Sequence, residues 1–169
     1  MYMDMIIRKA ELADAAVMAD IHQRSWLDAY TGLIPDGIIS AKNAGRPAMW
    51  ACILSGPHGN YLALVDGKPA GLLGLFSPCR DGDLSEAGEI GGLYLYPRYW
   101  GCGVGWRMMD FALVTLSANG HRMFSLWVLE GNVRARRFYE KCGFTFDGTR
   151  KEMADDVSLM ELRYQYLCY

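Results

Sequence analysis

The stretch EIGGLYLYPRYWGCGVGWRM, Glu89 to Met108, decides the fold. An extended run, Ile90 to Tyr96, meets Pro97 and then a glycine-rich turn, Gly101-Cys102-Gly103-Val104-Gly105. The turn opens an amphipathic helix over 104–118, with Val104, Met108, Phe111, Ala112 and Thr115 on one face. A strand, a glycine turn and a helix N-terminus together make an anion site. The glycines allow close backbone approach, and the N–H groups of the first helical turn have no intrahelical acceptor.

Outward from this stretch the chain alternates both periods. Residues 5–9 read as a strand. A helix follows over 12–28, with Val17, Ile21, Ser25 and Asp28 on one stripe and Met18, His22 and Trp26 beside it. Gly32 and Pro35 break it, and a shorter helix is predicted over 44–54. Strands 61–65 and 70–77 flank Asp66-Gly67-Lys68, a hairpin signal. Strand 85–96 comes next. Beyond the glycine-turn helix lie strand 124–129, helix 132–142 and strands 144–149 and 158–166. This order predicts an α/β protein with a mixed central sheet flanked by helices.

At 169 residues the chain reads as a single domain, residues 1–169, with a substantial core. Apolar residues make up 51% and the net charge is −2, so no broad field draws it to nucleic acid or an anionic membrane. No apolar run is long enough to span a bilayer, and the charged N-terminus does not read as a signal peptide. Five scattered cysteines without a CxxC read as reduced thiols of a cytoplasmic protein, with no disulfide or metal framework.

The glycine turn has three readings. It is a plain tight turn, a dinucleotide turn, or a pyrophosphate cradle of another kind. The dinucleotide turn needs G-x-G-x-x-G early in a βαβ unit. Here the spacing is G-x-G-x-G, past mid-chain, with strands before it. A second motif favours the third reading: Asn132-Val133-Arg134-Ala135-Arg136-Arg137-Phe138-Tyr139-Glu140-Lys141-Cys142-Gly143-Phe144. On a helix Asn132, Ala135, Arg136 and Tyr139 share a face. Asn132 suits an N-cap and Gly143 the residue that ends the helix.

Together the two motifs resemble the GNAT family of acetyl-CoA-dependent N-acetyltransferases. The family's Q/R-x-x-G-x-G/A is matched by Trp100-Gly101-Cys102-Gly103-Val104-Gly105 except at Trp100, which has one donor and no acceptor. Its N-x-x-A-x-x-F-Y-x-K-x-G-F is matched in full over 132–144. His22-Gln23-Arg24-Ser25-Trp26 and Tyr30-Thr31-Gly32-Leu33-Ile34-Pro35 resemble a bacterial subgroup. Glu161-Leu162-Arg163-Tyr164 resembles a common family ending.

The resemblance implies direct acetyl transfer from acetyl-CoA to the primary amine of a small acceptor. It implies cofactor contacts from Leu93, Tyr94, Leu95, Trp100, Gly101, Cys102, Gly103, Val104, Gly105, Asn132 and Tyr139. A lysine-like amine must lose a proton, at about 4–5 kcal/mol at pH 7. Glu89, eleven residues before Trp100, is the family-placed base, with Glu86 the nearby alternative. The departing sulfur needs a proton, and Tyr139 is the family-placed acid; an ordinary phenol, pKa ~10, keeps its proton at pH 7. Gly91-Gly92 suits a bulge or a weak strand start. Asp81 and Asp83 read as a solvated loop. His22, Trp26 and Tyr30 are the substrate candidates, as the family shapes its acceptor site with the first two helices. The alternative reading is a non-catalytic acyl-CoA sensor of the same fold. A homodimer through the terminal strand, with Tyr164, Tyr166 and Tyr169, competes with core packing for those tyrosines.

Overall fold

The computed structural model describes residues 3–168, apart from the side chain of Val157, so Tyr169 lies outside the described residues. In chain order the elements are β1 (Met5–Lys9), α1 (Ala15–Tyr30), α2 (Asp36–Leu54), β2 (Asn60–Val65), β3 (Lys68–Phe76), β4 (Gly88–Leu95), α3 (Val104–Ala118), β5 (Met123–Leu129), α4 (Val133–Lys141), β6 (Thr145–Met153) and β7 (Asp156–Leu167). The strands form a mixed seven-stranded sheet in the order β1-β2-β3-β4-β5-β7-β6. Short 3₁₀ turns at Leu12–Asp14, Gly82–Leu84 and Pro97–Tyr99 complete the elements. No helix among the described residues is long and apolar enough to cross a membrane.

By packing, the described residues divide into two units, 3–74 with Gly92–Phe111 and Leu75–Gly91 with 112–168. In the first, β1 pairs antiparallel with β2 from Met5↔Val65 to Lys9↔Tyr61, and β2 pairs with β3 across the Asp66-Gly67 turn. Ala10, Met18, Ala19, Ile21, Trp50, Leu54, Leu62, Leu72 and Tyr96 form its buried core. Each Leu, Ile or Met side chain among them contributes roughly 1.5–3 kcal/mol by leaving water. The α1 stripe runs through Met18, Ile21, His22 and Ser25, whereas Asp28 is exposed.

The second helix starts eight residues earlier than the predicted 44–54, at Asp36 just after Pro35. It also continues through Pro47. Proline has no N–H, so the carbonyl of Asn43, four residues back, loses its intrahelical donor. Gln23 of α1 replaces it, donating Nε2–H to that carbonyl at 2.7 Å, and the Asn43 amide donates to the Gln23 carbonyl at 3.2 Å. This reciprocal pair satisfies the proline's defect and fastens α1 to α2.

In the second unit, the first residues of β4 pair in parallel with β5, from Gly88↔Phe124 to Ile90↔Leu126. β7 pairs antiparallel with both β5 and β6. Tyr164 of β7 is fully buried, donates its hydroxyl to Glu140 at 2.9 Å and accepts from Arg136 at 3.1 Å. Tyr166 stacks on Phe124. Core packing therefore occupies Tyr164.

Candidate functional site

The glycine turn takes the conformation its composition dictates. Gly101 and Gly103 lie at φ +73° and +84°, a region costly for side-chain-bearing residues. No heavy atom lies within 4 Å of where a Cβ would stand at either position, so this backbone face is open. The carbonyl of Gly103 accepts the first helical bond, from Arg107 N–H at 3.2 Å. The N–H groups behind it point out of the helix end, where its dipole favours negative charge. Trp100, at the family's Gln/Arg position, braces the turn instead: its indole N–H donates to the Leu95 carbonyl at 3.3 Å. Cys102 is exposed, with its Sγ near the turn carbonyls of Trp100 (3.5 Å) and Arg98 (3.8 Å).

The second motif folds as a capped helix. Asn132 is buried, and its side-chain oxygen accepts from Ala135 N–H at 3.1 Å, the N-cap bond. At the other end Gly143 N–H reaches the Glu140 carbonyl and Phe144 N–H reaches the Tyr139 carbonyl, both at 3.0 Å. Gly143 supplies the left-handed conformation this ending needs, at φ +94°. Tyr139 thus sits one turn from a fixed helix end, its ring packed near Phe138 (5.4 Å) and Phe144 (6.2 Å).

Glu89 is not an open carboxylate at a strand end. Its side chain is 3% exposed and paired with Arg80, Nη2 to Oε1 at 2.6 Å. Arg80 Nε–H and backbone N–H each donate to Oε2 at 3.0 Å, and the Cys79 thiol lies 3.7 Å from the same oxygen. Burial pushes this carboxyl up, but Arg80's guanidinium and backbone N–H outweigh it, so it sits below its usual range. The guanidinium lies 3.8 Å over the Phe76 ring. A Cβ on Gly91 would collide with that same ring, so close approach demands this glycine. Glu86 is exposed, its carbonyl 2.9 Å from His121 Nδ1.

Both loop acids pair with Arg163, Asp81 partly buried and Asp83 still exposed to solvent. Arg163, 7% exposed, makes paired bonds to Asp83 at 2.8 Å, meets Asp147 at 2.6 Å and lies 3.6 Å from Asp81. Asp81 also accepts from the Trp127 indole at 2.8 Å. The Glu-Leu-Arg-Tyr ending is thus an internal clamp, with Arg163 joining the 81–83 loop to β6 and Tyr164 joining β7 to α4.

The three substrate candidates come together on α1. His22 stacks on Tyr94 at 4.3 Å, Trp26 meets His22 edge-on at 6.1 Å, and Tyr30 meets Trp26 at 4.9 Å. Two members had no pattern in the sequence to mark them. Trp50 of α2 donates its indole N–H to His22 Nδ1 at 3.2 Å, and the Arg46 guanidinium sits 4.6 Å over Trp26. Burial, with help from Arg46, lowers the His22 pKa to about 3. An unfolded histidine gains its proton near ~6.5, so the folded state loses stability as pH falls below that value, by about 1.4 kcal/mol per unit, until about 3. Between pH 6.5 and 5.0 the loss is expected to be about 2 kcal/mol. In that interval ordinary carboxylates stay ionised. Urea midpoints of the protein and of His22→Gln at the two pH values check this; parallel losses in both would refute it.

Comparison with known proteins points one way. A model described as the acetyltransferase (GNAT) family matches residues 18–144. A Mycobacterium tuberculosis protein named as an uncharacterised N-acetyltransferase is 34% identical over 143 residues, covering 82% of this chain and 88% of its own. The GCN5-related N-acetyltransferase structure from Rhodopseudomonas palustris superposes with a TM-score of 0.79 at 23% identity, covering 99% of this chain and 98% of its own. The PaiA N-acetyltransferase of Thermoplasma acidophilum, solved with coenzyme A, gives 0.78 at 20% identity over 96% of this chain and 99% of its own.

Proposed function

The chain belongs to the acetyltransferase (GNAT) family, and from that membership we propose that it transfers the acetyl group of acetyl-CoA directly to a primary amine of a small acceptor. The observation that carries this reading is the open turn at Gly101 and Gly103 entering α3. Its backbone N–H groups suit a pyrophosphate, and the absent Cβ atoms leave room for one. The PaiA relative, of the same fold, is solved with coenzyme A, which supports the same cofactor here. In this reading residues 101–105 hold the pyrophosphate by backbone alone, so Trp100 is free to brace the turn. Leu93, Tyr94 and Leu95 offer strand backbone to the pantetheine arm, and Asn132 orients α4.

When bound, acetyl-CoA supplies an activated acetyl thioester to the acceptor nitrogen. The balance is then one proton: the nitrogen sheds it and the sulfur gains it. Tyr139 donates to the sulfur and regains its proton from solvent, which takes up the proton the nitrogen sheds. Glu89 has its acceptor positions occupied by Arg80 and Cys79, so in this reading it positions the 79–81 loop against β4 and the amine's proton passes to solvent. The acceptor then reacts as the free base, and kcat/KM rises with pH across the neutral range.

Thiol release from acetyl-CoA, measured against a panel of amines, amino acids, polyamines and a lysine peptide, tests the proposal. Acceptor-dependent release is the expected result. Tight coenzyme A binding with no release for any acceptor would replace it with the sensor reading.

A further inference from the structure

The aromatic cluster on α1 and α2 holds more hydrogen-bond donors than acceptors. His22 is 7% exposed, and its Nδ1 accepts from the Trp50 indole, so the ring's single proton lies on Nε2. That Nε2, and the Trp26 Nε1, are both shut off from solvent with no hydrogen-bond partner among the described residues. A buried N–H without an acceptor costs roughly 1–3 kcal/mol. Two of them on one face of α1, at positions i and i+4, are unusual in a folded protein. The third group is cationic. Arg46, 7% exposed, lies over the Trp26 ring and acts electrostatically on His22.

Two N–H donors beside a buried guanidinium suit an oxyanion and repel an ammonium. Trp26, Tyr30 and Tyr94 are each half-buried, so the cluster keeps a side toward water. We propose that the His22 and Trp26 N–H groups, backed by Arg46, receive a carboxylate of the acetyl acceptor, which is therefore an amine that also carries a carboxylate, as an amino acid does. This inference rests on the acetyltransferase reading and names its acceptor class. The overall charge is −2, yet the local field of this cluster points to an anionic group. Out of water, charge-assisted bonds of this kind are about twice as strong as neutral ones. An acceptor lacking the carboxylate leaves both donors unpaired, and such sites reject the deficient analogue strongly.

The test uses the full chain, with and without coenzyme A, and product analogues as probes. N-acetyl amino acids with apolar, polar, acidic and basic side chains are each paired with their N-methylamides, which lose the charge and keep one carbonyl oxygen. The indole ¹⁵N–H resonance of Trp26, assigned with Trp26→Phe, is followed through each titration. At least one carboxylate is expected to move that resonance downfield and to bind ten-fold or more tighter than its methylamide. Trp26→Phe, checked for its thermal midpoint, is expected to erase most of that preference. If no carboxylate moves the resonance, or each methylamide binds as well, the inference is overturned. The wild-type titration decides this even where the variant folds poorly. Acetyl transfer without any Trp26 shift removes the carboxylate site and leaves the acetyltransferase reading intact. Carboxylate binding at Trp26 with no thiol release from any amine removes the acetyltransferase reading, and with it the acceptor role.

Discussion

Tyr139→Phe is expected to lower kcat by about 10²–10³-fold while changing the Kd for coenzyme A less than about three-fold. The substitution removes one hydroxyl and keeps the ring that packs near Phe138 and Phe144. The helix ending behind it is made by backbone groups of residues 139, 140, 143 and 144, which the change does not touch. An independent readout separates a proton donor from a merely well-packed phenol. An acetyl thioester of a more acidic thiol needs less help to leave, so the variant is expected to recover most of its rate with such a donor. An unchanged kcat would remove Tyr139 from the mechanism. A loss that the better leaving group does not rescue would make it a structural residue. A sensor would show no turnover to lose.

What the sequence made legible is what short-range physics controls. The glycine turn is local: alternating glycines can adopt the positive φ that other residues resist, and the helix after it needs only its apolar spacing. Helix α4 is local as well, with a cap at Asn132 and a left-handed stop at Gly143 within a dozen residues. The start of α2 was not legible, because residues 36–43 carry no apolar stripe. Their helix is stabilised by a contact to Gln23, made necessary by Pro47. The candidate site divides the same way. His22, Trp26 and Tyr30 share a helix face by spacing alone, but Trp50 comes from 28 residues away and supplies the bond that fixes the His22 tautomer. Nothing local to Asp81 and Asp83 announces their partner Arg163, which lies 80 residues beyond Asp83. Pairings at such separations leave no period in a sequence.

Glu89 poses the sharpest case, because a family-placed base and a buried ion pair predict opposite kinetics for the same residue. If it anchors the 79–81 loop, Glu89→Gln and Arg80→Met are each expected to cost about 1–3 kcal/mol of stability. The double variant is then expected to lose little more than the larger single loss, since both remove one interaction. Arg80 is 58% exposed, so its Coulombic share is screened and the cost falls mainly on the buried acceptors. In kcat/KM the two single variants are expected to fall together, by less than about ten-fold. A general base behaves differently: Glu89→Gln alone would lose about 10²–10⁴-fold while Arg80→Met stayed near the parent. The pH dependence adds a second check. A carboxyl held below its usual range contributes stability above the unfolded pKa of ~4.3, and that contribution is lost as pH falls through its folded value. The stability gap between the parent and Glu89→Gln is therefore expected to be full at pH 7 and to shrink steadily below pH 4. A gap that held constant into acid would show that the charge of Glu89 contributes nothing, and the ion pair would lose its place as the reason this glutamate is buried.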